Sequence, residues 1–211
     1  MLASIMMDSK PNSRGTGEYA RERKQRGPKR ATPEYLEKAA LHYLERYASS
    51  AANLRRVLMG KVERSARAHG TDREDGARAV EHILRRFLDS GLLDDRAYAE
   101  GRAVTLHRAG HSMPAIRARL GQKGIDADTI DAALERLEDE AAKPELAAAL
   151  RYARKRRLGP YRRDGRRERR ERDMAALARK GFPPDLARRI VDADDLAELE
   201  EEAGALPGPL G

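Results

Sequence analysis

The sequence predicts an all-α protein, an elongated tandem array of three-helix repeats. Apolar residues recur at spacings of three and four along most of the chain, as on the buried side of an amphipathic helix, and no alternating β pattern competes with them. The pattern apolar-x-x-x-Gly-apolar occurs at Gly91, Gly124 and Gly181, with Phe87, Leu120 and Leu177 before the glycines and Leu92, Ile125 and Phe182 after them. This is the arrangement of a Schellman stop, in which a left-handed glycine ends a helix and the residues flanking it touch. Ser50, Leu54 and Leu58 also have the same mutual offsets as Ser112, Ile116 and Leu120, and Arg55 and Arg117 fall at matching outward positions. Repetition at this level indicates small modules stacked along the chain.

The first repeat is assigned to residues 32–93. Thr32-Pro33 suits a helix start, since Thr caps and Pro at the first turn loses no hydrogen bond. The opening helix is expected to reach Tyr47 with Leu36, Ala40, Tyr43 and Tyr47 inward. Ser49 or Ser50 caps the second helix, which carries Leu54, Val57 and Leu58. Residues 61–75 read as a frayed continuation followed by a loop, and Val80, Ile83, Leu84 and Phe87 form the third helix. The second repeat, residues 94–143, opens on Asp94 as cap, with Leu93 and Tyr98 spaced as a hydrophobic staple and Gly101 allowing close helix approach. Ser112 caps its middle helix, and Ile130, Ala133, Leu134 and Leu137 close it. The third repeat, residues 144–192, runs from Pro144 through an arginine-rich stretch to a helix bearing Leu186 and Ile190. A basic arm over residues 1–31 and an acidic tail over residues 193–211 are expected to be flexible.

Composition narrows the function. The 211 residues hold 43 Lys and Arg against 35 Asp and Glu, a formal net charge of +8, which suggests a polyanionic or acidic partner. With no Cys, the chain has no thiol chemistry, disulfide or cysteine-held metal. The five His form no metal signature, and no phosphate loop or nucleophile elbow is present, so neither catalysis nor a cofactor is expected. The segment MLASIMMDSK is too short and weakly apolar for a signal peptide, and no run approaches the roughly 20 apolar residues of a membrane span. A cytoplasmic location, free of membrane, is the expectation.

The sharpest charge feature is the run containing Arg154, Lys155, Arg156, Arg157, Arg162, Arg163, Arg166, Arg167, Arg169, Arg170 and Arg172, offset only by Asp164, Glu168 and Glu171. A helical cylinder cannot bury all of these, so this stretch, with Arg55 and Arg117, is the candidate surface for nucleic acid or an acidic partner. Arg162, Arg163, Arg166 and Arg167 are expected to serve binding without being needed for folding.

Several motifs resemble the RecX family of RecA regulators. Gly91-Leu92-Leu93-Asp94-Asp95 followed by Tyr98-Ala99 is similar to the family's leucine-aspartate-aspartate turn. Ile116-Arg117-x-x-Leu120 with Lys123-Gly124-Ile125 resembles its middle-helix motif, and Arg179-Lys180-Gly181-Phe182 with Ile190 resembles the end of its last repeat. Gly110-His111-Ser112-Met113 departs from the family's Tyr-Gly-Pro, and residues 62–75 resemble an insertion. The resemblance implies a helical, non-enzymatic modulator, monomeric when free, that lies in the groove of the RecA filament on single-stranded DNA and restrains recombinase and co-protease activity. Alternatives are a non-specific binder of single- or double-stranded DNA and, less favoured, a helix-turn-helix reader.

Overall fold

The computed structural model describes residues 27–140 and 143–204, and among these it contains helices and connecting turns but no strand. The first repeat comprises α1 (Pro33–Leu44), α2 (Ala51–His69) and α3 (Arg73–Asp89). The second comprises α4 (Asp95–Arg108), α5 (Met113–Gly121) and α6 (Ala127–Glu140). The third comprises α7 (Pro144–Arg156), a 3-10 turn (Gly159–Tyr161), α8 (Arg170–Ala178) and α9 (Pro184–Val191), with α10 (Leu196–Glu202) added behind it. None of these helices is long and apolar enough to cross a membrane.

Each repeat has its own apolar core, as the thin apolar stripes require. Leu36, Leu54, Leu58, Val80 and Phe87 form the first, Ala99, Ala103, Ile116, Leu120 and Ile130 the second, and Leu150, Leu177, Phe182 and Ile190 the third. Polar caps set where the helices begin. The side chains of Thr32, Ser50, Asp72, Asp94 and Ser112 accept backbone N–H bonds from the first turns of α1 to α5 respectively.

Several elements depart from the sequence reading. Residues 61–75 are not a frayed helix and loop: α2 runs unbroken to His69 with Val62, Ser65 and Ala66 buried, and only Gly70, Thr71 and Asp72 separate it from α3. Gly76 makes this extended hairpin possible, because a Cβ there would lie 2.5 Å from Val62 Cγ1. Tyr47 lies beyond α1 and is exposed. Gly101 faces solvent with nothing near its Cα face, and the close approach in α4 is made by Ala99 and Ala103, both fully buried. The stop at Gly91 is shifted by one residue. Leu93, not Leu92, is buried and sends its N–H to the Phe87 carbonyl at 2.9 Å, leaving Leu92 49% exposed.

The tail also differs. Asp195 caps α10, and Leu199 and Ala203 join the third core, so residues 193–204 are docked. Of the arm expected over residues 1–31, residues 1–26 lie outside the described residues, as does the remaining tail, residues 205–211, whereas the arm's end is held against α2 by the Ala31 N–H on Ser65 Oγ at 2.9 Å and by the Pro28 carbonyl on His69 Nε2.

Candidate nucleic-acid interface

Two junctions join the three repeats, and the same chemistry makes both. At the first, the Ser50 hydroxyl accepts the Asn53 N–H at 3.2 Å and donates to the Lys123 carbonyl at 2.5 Å, while Asp95 Oδ1 accepts the Ala51 N–H at 2.8 Å. At the second, Ser112 accepts from Ala115 at 3.3 Å and donates to the Lys180 carbonyl at 2.7 Å, while Glu145 Oε2 accepts the Met113 N–H at 2.8 Å. The next repeat in the chain thus supplies partners for the open N–H groups at the start of each middle helix. Asp95, which the sequence shows only as part of a motif, is the carboxylate that performs this at the first junction.

The glycine after each of these lysines completes the arrangement. Ile125 N–H bonds the Leu120 carbonyl and Gly124 N–H the Gly121 carbonyl, the two bonds of a Schellman motif, and Phe182 and Gly181 repeat them on Leu177 and Ala178. Gly124 has φ +76° and Gly181 φ +87°. A Cβ at Gly124 would overlap that of Ala52, and one at Gly181 would lie 2.7 Å from Ser112 Oγ. Gly124→Ala is therefore expected to destabilise by about 1–2 kcal/mol, whereas Gly121→Ala, in an open helix position, should stabilise by about 0.5–1 kcal/mol. Denaturant unfolding of the two variants checks this, and shifts of the same sign would contradict it.

At the second junction α4 also abuts α7. Gly110, with φ +78°, ends α4 in another Schellman turn, and a Cβ there would lie 3.0 Å from the Tyr152 nitrogen. The following residue is His111, so this stop lacks the apolar-glycine-apolar pattern, and the glycine alone marks it in the sequence. His107 is buried beneath it, its Nε2 donating to the Pro144 carbonyl at 2.7 Å and its Nδ1 lying 3.4 Å from Arg151 Nη1. Acceptance at Nδ1 requires the neutral ring, whereas the Nε2 bond to the carbonyl suits either form. Burial lowers the His107 pKa below 6.5, reinforced by Arg151 and Arg108 and opposed by the Pro144 bond. Because the unfolded chain binds the proton more readily, this contribution is complete above about pH 6.5 and is lost as pH falls through that value toward the folded-state pKa. His107→Gln, which keeps a donor, should lose less stability than wild type between pH 7 and pH 5 in urea titrations. Parallel losses in both proteins would contradict the assignment.

His111 marks the electrostatic centre of the junction. Its pKa is lowered by partial burial and then by the charges of Arg119, Lys180, Arg102 and Lys155. These come from α5, the turn after α8, α4 and α7. None of the four forms an ion pair with a carboxylate among the described residues. Lys180 Nζ instead stands 5.5 Å from the Tyr152 ring centroid. The second junction brings the elements bearing these four cations close enough to His111 to disfavour its charged form, and such a concentration of like charge without carboxylate partners suits polyanion binding. Arg102 and Lys180 were not singled out as binding residues from the sequence, and Arg119 only with Arg117 under the helix-turn-helix alternative, because they lie far apart in it and only the fold brings them together.

The arginine run divides. Arg162 bonds Asp173 through two contacts of 2.6 Å, and Asp173, 1% exposed, also accepts the Gly159 N–H at 2.8 Å. Arg166 donates to the Val191 and Ala193 carbonyls at 3.0 and 2.6 Å, and Arg170 holds Asp192 at 2.7 and 2.6 Å. Arg162 and Arg166 are thus built into the fold, contrary to the expectation that folding does not need them. Arg154 pairs with Glu200 at 3.0 Å, Arg55 with Glu81, and Arg117 with Asp131. Lys155, Arg156, Arg157, Arg163, Arg167 and Arg169 are exposed and have no carboxylate partner among the described residues. No group of three or more His, Asp or Glu among the described residues could hold a metal ion.

The repeats have known counterparts. Residues 94–134 match the family described as RecX, second three-helix domain, and residues 144–191 match RecX, third three-helix domain. Regulatory protein RecX of Myxococcus xanthus (strain DK1622) is 39% identical over 189 residues, covering 86% of this chain and 97% of that protein. Regulatory protein RecX of Mycobacterium sp. (strain KMS) is 30% identical over 176 residues, covering 82% and 91% respectively. A crystal structure of regulatory protein RecX superposes with a TM-score of 0.56 at 26% identity, covering 76% of this chain and 72% of the other. That of RecX from Lactobacillus salivarius gives 0.52 at 21% identity, covering 80% and 97%, and shares the fold. With helical repeats of this kind and a relative matched along nearly its full length, the chain belongs to the RecX family of regulatory proteins.

Proposed function

We propose that this protein binds the RecA nucleoprotein filament on single-stranded DNA and restrains recombinase activity, using the cations around His111 to meet phosphate or an acidic face of the filament. Family membership supports the regulatory role, and the carrying observation is the unpaired set Arg102, Arg119, Lys155 and Lys180. Like charges held together repel, and a polyanionic partner offsets that repulsion. A chain of clamped repeats offers successive contact points along a filament. The protein acts as a free monomer in the cytoplasm on this reading, and duplex DNA is a further partner.

A second reading, non-specific DNA binding, draws on the exposed Arg156, Arg157, Arg163, Arg167 and Arg169. The helix-turn-helix reading is weaker. The N-terminal end of a recognition helix contacts bases, yet at α5 that end is occupied by Glu145 and by the Lys180 turn. Comparing affinity for RecA-coated and bare oligodeoxythymidine at one salt concentration tests the proposal. Tighter binding to the coated strand is expected, and equal affinity for both would leave only the non-specific binder.

A further inference from the structure

We propose that residues 192–202 form an acidic strap that competes with polyanions for the outer cations of the third repeat, so that the surface beneath it is a second, masked phosphodiester-binding face. The inference rests on the reading that the protein meets a nucleic-acid backbone, and it concerns residues other than those around His111.

The strap lies across cations from three parts of the repeat. Glu200 accepts from Arg154 at 3.0 Å and from the Tyr161 hydroxyl at 2.9 Å. Glu202 takes Arg189 Nη1 at 2.9 Å and also pairs with Lys143. At the near end Asp192 holds Arg170. These cations lie at or near the surface, with side chains 37–52% exposed, so what hides them is the strap's carboxylates rather than burial.

The attachment is modest beside the charge it carries. Leu199 and Ala203 are the buried apolar contacts of α10 and Arg166 donates to the Ala193 carbonyl, while the carboxylates of Glu200 and Glu202, 13% and 21% exposed, hold cations that are themselves about half exposed and so remain open to salt and to competing anions. A phosphate backbone presents regularly spaced anions to the same guanidinium groups, with bidentate geometry equal to that of the carboxylates it displaces. Binding at this face in the native protein exchanges one set of anions for another. With the strap neutralised, the same cations carry mobile counterions, and phosphate binding releases those instead.

This difference gives the test. Full-length protein with Glu200→Gln and Glu202→Gln is compared with wild type and with Asp128→Asn/Glu135→Gln on α6, which changes net charge equally at two exposed acids that hold no ion pair and lie outside the cleft shared by Glu202, Lys143 and Arg189. Binding to a fluorescent oligodeoxythymidine is measured against salt, and thermal unfolding verifies that each variant is folded. The strap variant should bind about tenfold tighter at low salt, with a log–log salt slope steeper by about 1 to 2, and the α6 variant should differ little from wild type. Leu199→Ala, which loosens the strap without altering charge, should shift affinity in the same direction. Equal tightening in the strap and α6 variants would reduce the effect to net charge and overturn the proposal. If wild type binds with ordinary salt dependence and neither strap substitution tightens it, the strap fails while the nucleic-acid reading stands. Absence of DNA binding by all the proteins would overturn both.

Discussion

Arg162→Ala is expected to destabilise the third repeat by about 3 kcal/mol, lowering the melting temperature by roughly 10 °C. Asp173 is almost fully buried, and Arg162 supplies both of its side-chain partners. Removing the guanidinium leaves a buried carboxylate with only the Gly159 N–H, whereas most single substitutions at exposed sites change stability by less than about 0.5 kcal/mol. Arg163→Ala, one residue away and exposed, provides that contrast. Arg162→Met with Asp173→Leu should recover much of the loss, since an apolar pair needs no charge compensation. Recovery should stop short of wild type because Gly159 then lacks its acceptor. Equal melting of the Arg162→Ala and Arg163→Ala proteins would show that the buried pair does not hold this segment.

Neutralising the His111 cluster should have the largest effect on binding. With Arg102, Arg119, Lys155 and Lys180 all changed to Gln, affinity for the filament should fall on the order of 100-fold at low salt, and the salt slope should drop by about 3 if these contacts are to phosphate. The fold should be retained. None of the four side chains has a carboxylate partner among the described residues, and the junction bond at Lys180 uses its backbone carbonyl. Relief of crowding should also raise the His111 pKa toward its ordinary value, which NMR titration reads independently of binding. Arg163→Gln with Arg167→Gln removes two exposed charges outside the junction, so it separates this site from the arginine run as a whole. A larger loss from that pair than from the cluster would move the interface away from the junction.

Much of the fold was legible because its signals are local. Gly124 and Gly181 each sit with the apolar pair that a Schellman turn needs, and both turns form with the expected bonds. At Gly91 the same rule misplaced the contact by one residue, since two leucines follow the glycine and either could turn inward. Residues 61–75 misled because Ser65 and Ala66 are buried although neither is a large apolar residue, while charged neighbours on the outer face dominate the pattern. The α10 helix was readable in Asp195, Leu196 and Leu199, a cap followed by a spacing of three, but the density of acids suggested solvation.

The site was less legible for a different reason. Ser50 and Lys123, or Ser112 and Lys180, meet only through tertiary structure, and equal helix offsets could show that the units repeat without showing how they join. Counting charge identified a basic third repeat. It could not reveal that Arg162, Arg166 and Arg170, spaced by four, turn toward acids and carbonyls while Arg163 and Arg167 face outward. Between the 3-10 turn and α8 the backbone is not helical, so no helical periodicity in the sequence could have separated the two sets.

The most direct test of a filament regulator acting through the second junction is RecA ATP hydrolysis on preassembled filaments, with occupancy of any exposed single strand measured in the same samples. Wild-type protein should inhibit at concentrations that leave most bare DNA unbound, and the four-glutamine variant, folded to the same extent, should not. Inhibition that merely tracks occupancy of bare DNA, or that persists undiminished in the variant, would contradict the account.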